Sequence, residues 1–312
     1  MIQYMRPIWA YRGFIRGSIQ REFQSKYRNS LLGAAWTVIN PLAMIVVYTV
    51  IFAQVMRAKL PGVDSTFAYS IYLCAGVLTW GLFAELVGRS QTMFLDNANL
   101  LKKISFPRIT LPIIVVANAV LNFGIVFALF LAFLLVSGNF PGWVIVAVAP
   151  IFMLQIAFAM GLGMVLGVLN VFFRDVGQFF GIFLSFWFWL TPIVYPAGIL
   201  PEAIKPYMAL NPMAPLMAAY QGIMVNHQWP QWASLWPTAV LAAVLCLLGL
   251  HLFKKNAGEM VDELCWARSQ SRNWAKPTSS TPTAGLACWS GYRLSMPSAI
   301  TSNGSCKTSA LR

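Results

Sequence analysis

Few residues in this sequence are equipped for chemistry, and those few stand apart from one another. His227 and His251 are single histidines, and neither has neighbours at the spacing of a metal site. Cys74 and Cys246 lie inside apolar runs, where a thiol behaves as a small hydrophobe. Cys265, Cys288 and Cys306 follow with no CxxC spacing. A hydrolase or transferase needs a clustered nucleophile, base or metal set, and the sequence offers none. No Lys follows a Gly anywhere, so the phosphate loop GxxxxGK[ST] is missing. If this chain moves something uphill, another polypeptide must hydrolyse the nucleotide. Glu85 and Arg89 stand four apart, the favourable order for a helical ion pair, read here as a structural pair at a membrane surface. What remains is positive charge at two places, Lys102–Lys103–Arg108 and Arg174 beside Asp175. Its chemistry is recognition rather than bond-making.

The elements that must carry these residues are membrane spans. Of 312 residues 58% are hydrophobic and only 10% charged, against roughly 45–50% and about 25% in soluble domains. Mean hydropathy is +0.66, which excludes a soluble globular or disordered chain. Six apolar runs near the ~20-residue span length are predicted at 32–55, 67–87, 111–137, 143–172, 176–195 and 233–253. The spans carry almost no ionisable groups, which disfavours an ion-coupled carrier.

Net charge is +13, from 22 Lys and Arg against 9 Asp and Glu. Most of it falls in short segments between runs, where it sets topology and meets anionic lipid headgroups rather than nucleic acid. Arg6, Arg12, Arg16, Arg21, Lys26 and Arg28 precede the first run, and Arg89, Lys102, Lys103 and Arg108 lie between the second and third. Arg174 follows the fourth, and Lys254 and Lys255 follow the sixth. The other side has Arg57, Lys59 and Lys205, so both termini are expected in the cytoplasm.

Residues 8–30 place Ile8, Tyr11, Ile15, Ile19 and Phe23 on one helical stripe with Arg12, Arg16 and Arg21 off it, which predicts an amphipathic helix in the inner-leaflet plane. Segment 1–31 is read as this cytoplasmic interface element, 32–264 as the transmembrane domain, and 265–312 as a Ser- and Thr-rich disordered tail. Within 196–232, Pro212, Pro215, Asn211 and Gln221 interrupt an apolar stretch. Short re-entrant helices on the outer side fit it, because broken backbone at membrane depth must be satisfied by protein or a watery cavity; a plain interfacial loop is the alternative.

The loop NANLLKKISFPRITLPI (97–113) predicts a short helix capped by Asn97 or Asn99. Leu100, Leu101 and Ile104 give it an apolar edge, Lys102 and Lys103 a basic one, and Pro107 stops it. Such a helix suits docking into a partner's cleft; a plain topogenic connector is the alternative. Arg174 and Asp175 either fix a tight turn by charge-assisted hydrogen bonds or contact a partner, and the two can coexist.

NANLLKKISFPRITLP resembles the coupling-helix region of the ABC type-2 permeases that export polysaccharides. In the same order, residues 20–52 are similar to that family's interface helix and first span, and NVFFRDVGQ (170–178) to its turn between spans four and five. LTPIVYPAGILP (190–201) and NPMAPL (211–216) resemble its outer re-entrant region. The resemblance covers about residues 8–260 and leaves the tail unmatched. It implies an all-α integral membrane protein with six spans, an interface helix, a coupling helix between spans two and three, and outer re-entrant helices at Pro192, Pro196, Pro201, Asn211 and Pro212. It implies ATPase coupling through Asn97, Leu100, Leu101, Lys102, Lys103, Phe106, Pro107 and Arg108. The implied partners are a second copy, two ABC ATPase subunits that bind the ATP and Mg, and a lipid-linked polysaccharide of O-antigen or capsule type. The chain itself would hold no cofactor, and would sit in the bacterial inner membrane. A permease for a smaller lipid or drug-like molecule is the alternative.

The fifth run, FFGIFLSFWFWLTPIVYP (179–196), is unusually aromatic. Its rings either pack against lipid and helices or line a conduit, where a sliding polymer needs weak repeated contacts; Phe183, Trp187, Trp189 and Tyr195 are the candidates. Gly161, Gly163 and Gly167 include a GxxxG pair, which fits close helix packing or dimerisation.

Overall fold

The computed structural model describes residues 11–27, 33–55, 67–101, 110–196, 198, 201, 207–208, 210–260 and 263. Every regular element among them is helical. In chain order these are α1 (Arg12–Tyr27), α2 (Trp36–Thr49), α3 (Ala68–Asp96), α4 (Ala98–Leu101), α5 (Thr110–Val136), α6 (Val148–Phe172), α7 (Asp175–Leu190), α8 (Met213–Asn226) and α9 (Trp232–Asn256). A 3-10 turn at Gly33–Ala35 leads into α2, which continues as a π-helix over Val50–Val55, and another 3-10 turn at Gly142–Ala147 leads into α6. Among the described residues four helices are long and apolar enough to cross a membrane: α3, α5, α6 with its 3-10 turn, and α9. Trp36–Phe52 and Asp175–Leu190 are apolar but shorter. The expected tail at 265–312 lies outside the described residues.

Two boundaries differ from expectation. The helix of the run expected at 176–195 ends at Leu190, and the second run is expected at 67–87 with a loop after it. Instead α3 runs 29 residues to Asp96, about 43 Å at 1.5 Å per residue. Tertiary packing extends it: Ser90, Met93 and Phe94 are buried, and Phe94 stacks on Phe253 of α9 with ring centroids 5.2 Å apart.

The core forms where α6 lies between α3 and α9. Glycines set that spacing. A Cβ on Gly163 would come within 2.4 Å of the Ser90 Cβ, and one on Gly167 within 2.7 Å of the Ser90 carbonyl oxygen. On the opposite side of α6, a Cβ on Gly161 would meet the Cys246 nitrogen at 2.8 Å, and one on Gly249 the Met164 Cβ at 3.0 Å. The GxxxG pair therefore serves close packing inside one subunit. Gln155, fully buried in α6, donates to the Thr79 carbonyl of α3 at 2.7 Å.

Candidate functional site

Four places in this frame bear on function, and the first is where α1 meets the bundle. Tyr11, Phe14, Ile15, Ser18, Ile19 and Glu22 are partly covered, whereas Arg12, Arg16, Gln20 and Arg21 are exposed. Tyr11, Ile15 and Ile19 of the expected stripe are thus on the partly covered side, together with Phe14, Ser18 and Glu22. Ile8, and the side chain of Phe23, lie outside the described residues.

Glu22 gives that face a charged anchor. It forms an ion pair with Arg89 of α3 and accepts a hydrogen bond from Asn118 of α5. Arg89 also pairs with Glu85 one turn back, Nε to Oε1 at 3.0 Å. The other oxygen of Glu85 accepts from Asn122 at 2.9 Å. The expected Glu85–Arg89 pair is therefore one edge of a five-residue network across three helices. Each carboxylate faces both the guanidinium and a carboxamide, so neither anion depends on a single donor.

The second place is the end of α3. Of the two expected caps, Asn97 or Asn99, the side chain of Asn97 donates instead to the Met93 carbonyl at 2.9 Å, closing the end of α3, and the side chain of Asn99 lies outside the described residues. The Asn97 carbonyl receives the Leu100 amide at 2.9 Å, which starts α4. Leu100 packs against the core and Leu101 ends α4. Lys102, Lys103, Phe106, Pro107 and Arg108 lie outside the described residues.

The third place is the turn between α6 and α7. No ion pair joins Arg174 to Asp175; both are exposed at the start of α7. The turn-fixing role expected of that pair belongs to Asn170. Nearly fully buried, it donates to the Gln91 carbonyl of α3 at 3.0 Å and accepts the Gly177 amide at 3.1 Å. Gln91 returns a hydrogen bond to the Gly177 carbonyl at 3.3 Å. A carboxamide, being donor and acceptor at once, can tie a carbonyl on one helix to an amide on another.

The fourth place is α7 and the broken backbone after it. Phe179, Ile182, Phe183, Phe186, Trp189 and Leu190 form an exposed stripe at helical spacing. Trp187 faces the other way. It packs edge-on against Trp80, Phe83 and Phe158, and its indole N–H donates to Asn211 at 2.9 Å. Of the four candidate conduit aromatics, Phe183 and Trp189 thus lie on the open face and Trp187 in the core. Tyr195 is half-buried, its hydroxyl donating to the Trp189 carbonyl at 2.7 Å.

Residues 191–196 leave the helical ladder, and long-range side chains take over their carbonyls. Tyr69 donates to Val194 at 2.7 Å, and Tyr72 to Pro192 and Tyr195 at 3.2 and 3.0 Å. Buried Gln221 of α8 donates to Pro192 and Ile193, each at 3.3 Å. Asn211 bonds Thr191 at 3.0 Å and receives the Met213 amide at 3.0 Å, and Pro212 leads directly into α8 and accepts from Thr238 at 3.0 Å. Pro196 is half-buried and Pro201 exposed. Irregular backbone whose carbonyls are met by protein side chains is the arrangement that membrane depth tolerates. Helix α8 is 14 residues, about 21 Å long, too short for a ~30 Å hydrocarbon core.

Glu22, Asn118, Asn122, Gln155 and Asn170 were not singled out from sequence, whereas Gln221 was named as an interruption of its apolar stretch. Their signal was available: each but Glu22 is a polar residue in an apolar run, and such residues are costly unless partnered. Among the described residues no group of three or more His, Cys, Asp or Glu could hold a metal.

Residues 15–225 match the family model for the ABC-2 type transporter. The chain is 32% identical to the O-antigen export system permease protein RfbA of Myxococcus xanthus over 85% of its own length and 100% of the relative's. It is 29% identical to the protein of the same name from Klebsiella pneumoniae, over 75% of this chain and 88% of that one. It is 21% identical to the polysialic acid transport protein KpsM of Escherichia coli, over 77% and 92%. With two thirds of its residues inside that family model and an end-to-end relative, this chain belongs to the ABC-2 type transporter family.

Proposed function

We propose that this chain is the membrane-spanning permease subunit of an ABC exporter that carries lipid-linked polysaccharide, of O-antigen or capsule type, across a bacterial inner membrane. The observation that carries the reading is full-length similarity to an O-antigen export permease, supported by a polysialic acid transport relative. The phosphate-loop motif is absent from the sequence, so ATP and Mg belong to separate ATPase subunits.

The spans are α2, α3, α5, α6, α7 and α9, with α8 re-entering from the outer side and both termini in the cytoplasm. Two copies place the exposed α7 faces toward a shared conduit, where Phe179, Phe183, Phe186 and Trp189 offer ring surfaces to a passing glycan. Aromatic faces hold sugar without fixed hydrogen bonds, which lets a polymer slide. The segment around Lys102 and Lys103 docks the ATPase, with exposed Arg174 and Asp175 beside it.

The experiment is complementation. In a strain lacking its own permease, this chain with its ATPase restores surface polysaccharide, and Lys102→Glu with Lys103→Glu loses both ATPase co-purification and surface polysaccharide. Undiminished co-purification and export in that variant would remove the docking assignment. Failure of the wild-type chain to restore any surface glycan would remove the cargo assignment.

A further inference from the structure

A cleft opens between α8 and the start of α9 whose lining has the composition of a sugar site. Its cavity is about 250 Å³. The floor is one face of α8, where Pro215, Ala218, Ala219 and Gly222 recur at helical spacing and are all small. Small side chains there leave the volume empty. The rim is the connection to α9. His227 ends α8 in the left-handed conformation, φ 53°, and turns the chain back across that floor.

The rim presents Asn226, Gln228, Gln231 and the indole of Trp229. All four are exposed, and the three carboxamides make no hydrogen bond within the described residues. Ser234 completes the polar side, its hydroxyl donating to the Gln231 carbonyl at 2.7 Å. No ionisable residue lines the cleft, which argues against a phosphate or a cation. Three carboxamides supply donors and acceptors in the pairs that vicinal hydroxyls require. One indole supplies an apolar face with a polar edge. The volume falls just under the roughly 300 Å³ at which small-molecule pockets begin, which limits the occupant to about one ring.

We infer that this cleft is a binding subsite for a neutral pyranose unit of the exported glycan. The inference rests on the cargo reading above. It gives the outer end of the pathway a weak foothold for the emerging chain, held by hydroxyl-directed hydrogen bonds and one stacking surface, and it differs in chemistry from the aromatic face of α7.

The test uses the full chain in lipid nanodiscs and saturation-transfer NMR. The probes are free D-mannose, D-galactose, L-rhamnose and N-acetyl-D-glucosamine at millimolar concentration. At least one sugar is expected to show saturation transfer from the wild type. Trp229→Ala, and Gln228→Ala combined with Gln231→Ala, should reduce that signal at least fivefold. Trp229→Phe should retain it, and so should Trp236→Ala, which removes an exposed indole outside the cleft. Thermal unfolding of each variant keeps loss of binding separate from loss of fold. No transfer to any of the four sugars, or equal transfer in folded Trp229→Ala, overturns the inference. Export complementation is read separately: restored surface glycan with no sugar binding sinks the cleft alone. Sugar binding without restored export sinks the cargo reading.

Discussion

Replacing Arg89 by Ala should loosen α1 from the bundle without unfolding the protein. Its guanidinium meets Glu22 of α1 and Glu85 of α3, while Asn118 and Asn122 hold the same carboxylates from α5. Side-chain exposure is 32% for Arg89, 41% for Glu22 and 22% for Glu85. That places the network between a surface ion pair, worth about 0.2–1 kcal/mol, and a buried charge-assisted bond, worth about 1.5–3 kcal/mol. Removing Arg89 breaks two such contacts and leaves two like charges facing one site, a loss of about 2 kcal/mol. The Glu22 contact joins α1 to α3, so the share of the loss that falls on it appears as undocking, a shift of up to about thirtyfold at 1.4 kcal/mol per decade. The assay is cysteine accessibility in inverted vesicles. Ile19→Cys, in a background with Cys74, Cys246, Cys265, Cys288 and Cys306 replaced, places a thiol on the partly covered face of α1. Its labelling by a water-soluble maleimide should accelerate about tenfold when Arg89→Ala is added, because the docked state protects it. Glu22→Gln should give a similar increase, and the double variant little more than either alone, the mark of coupled partners. Equal labelling rates in wild type and Arg89→Ala, or strictly additive effects, would refute the docking role.

Three further outcomes follow from the packing. Gly163→Ala drives a methyl to within 2.4 Å of the Ser90 Cβ and should cost about 1–3 kcal/mol; adding Ser90→Gly should recover part of it in thermal unfolding. Asn170→Ala removes the carboxamide that meets both the Gln91 carbonyl and the Gly177 amide and should cost about 1–3 kcal/mol, whereas Arg174→Ala should leave unfolding unchanged within about 0.5 kcal/mol. If the two variants unfold alike, the turn is not held as described. For topology, a cysteine at Trp143, 87% exposed between α5 and α6, should label from outside intact cells with an impermeant maleimide, while one at Glu259 should label only after lysis; the reverse pattern inverts the orientation.

Much of the fold was legible because apolar runs, prolines and charge report directly on membrane spans. Among the described residues the runs at 32–55, 111–137, 143–172 and 233–253 lie almost wholly on helices, and the run at 176–195 does so as far as Leu190, where the backbone breaks. What escaped was whatever depends on partners distant in sequence. Glu22 lies 67 residues from Arg89 and 96 from Asn118, and no local spacing announces that meeting. The same holds for Asn170, whose partner Gln91 is 79 residues away. Arg174–Asp175 drew attention because opposite charges adjacent in sequence look like a pair. The aromatic run could not be divided from sequence, since its rings cover the whole circumference of α7. Only the arrival of Trp80, Phe83 and Phe158 on one side shows that Trp187 belongs to the interior.

The glycine seams of α6 have a mechanical consequence. Gly163 and Gly167 bring its backbone against α3, and Gly161 with Gly249 brings it against α9. Where main chains touch with no side chain between them, there is no rotamer to yield, and sliding by even a fraction of a turn would collide atoms. The packing resists relative sliding of these three helices. A displacement imposed on the bundle would then be taken up on its flanks, at α1, which is ion-paired to α3, and at α7, whose face from Phe179 to Leu190 is exposed.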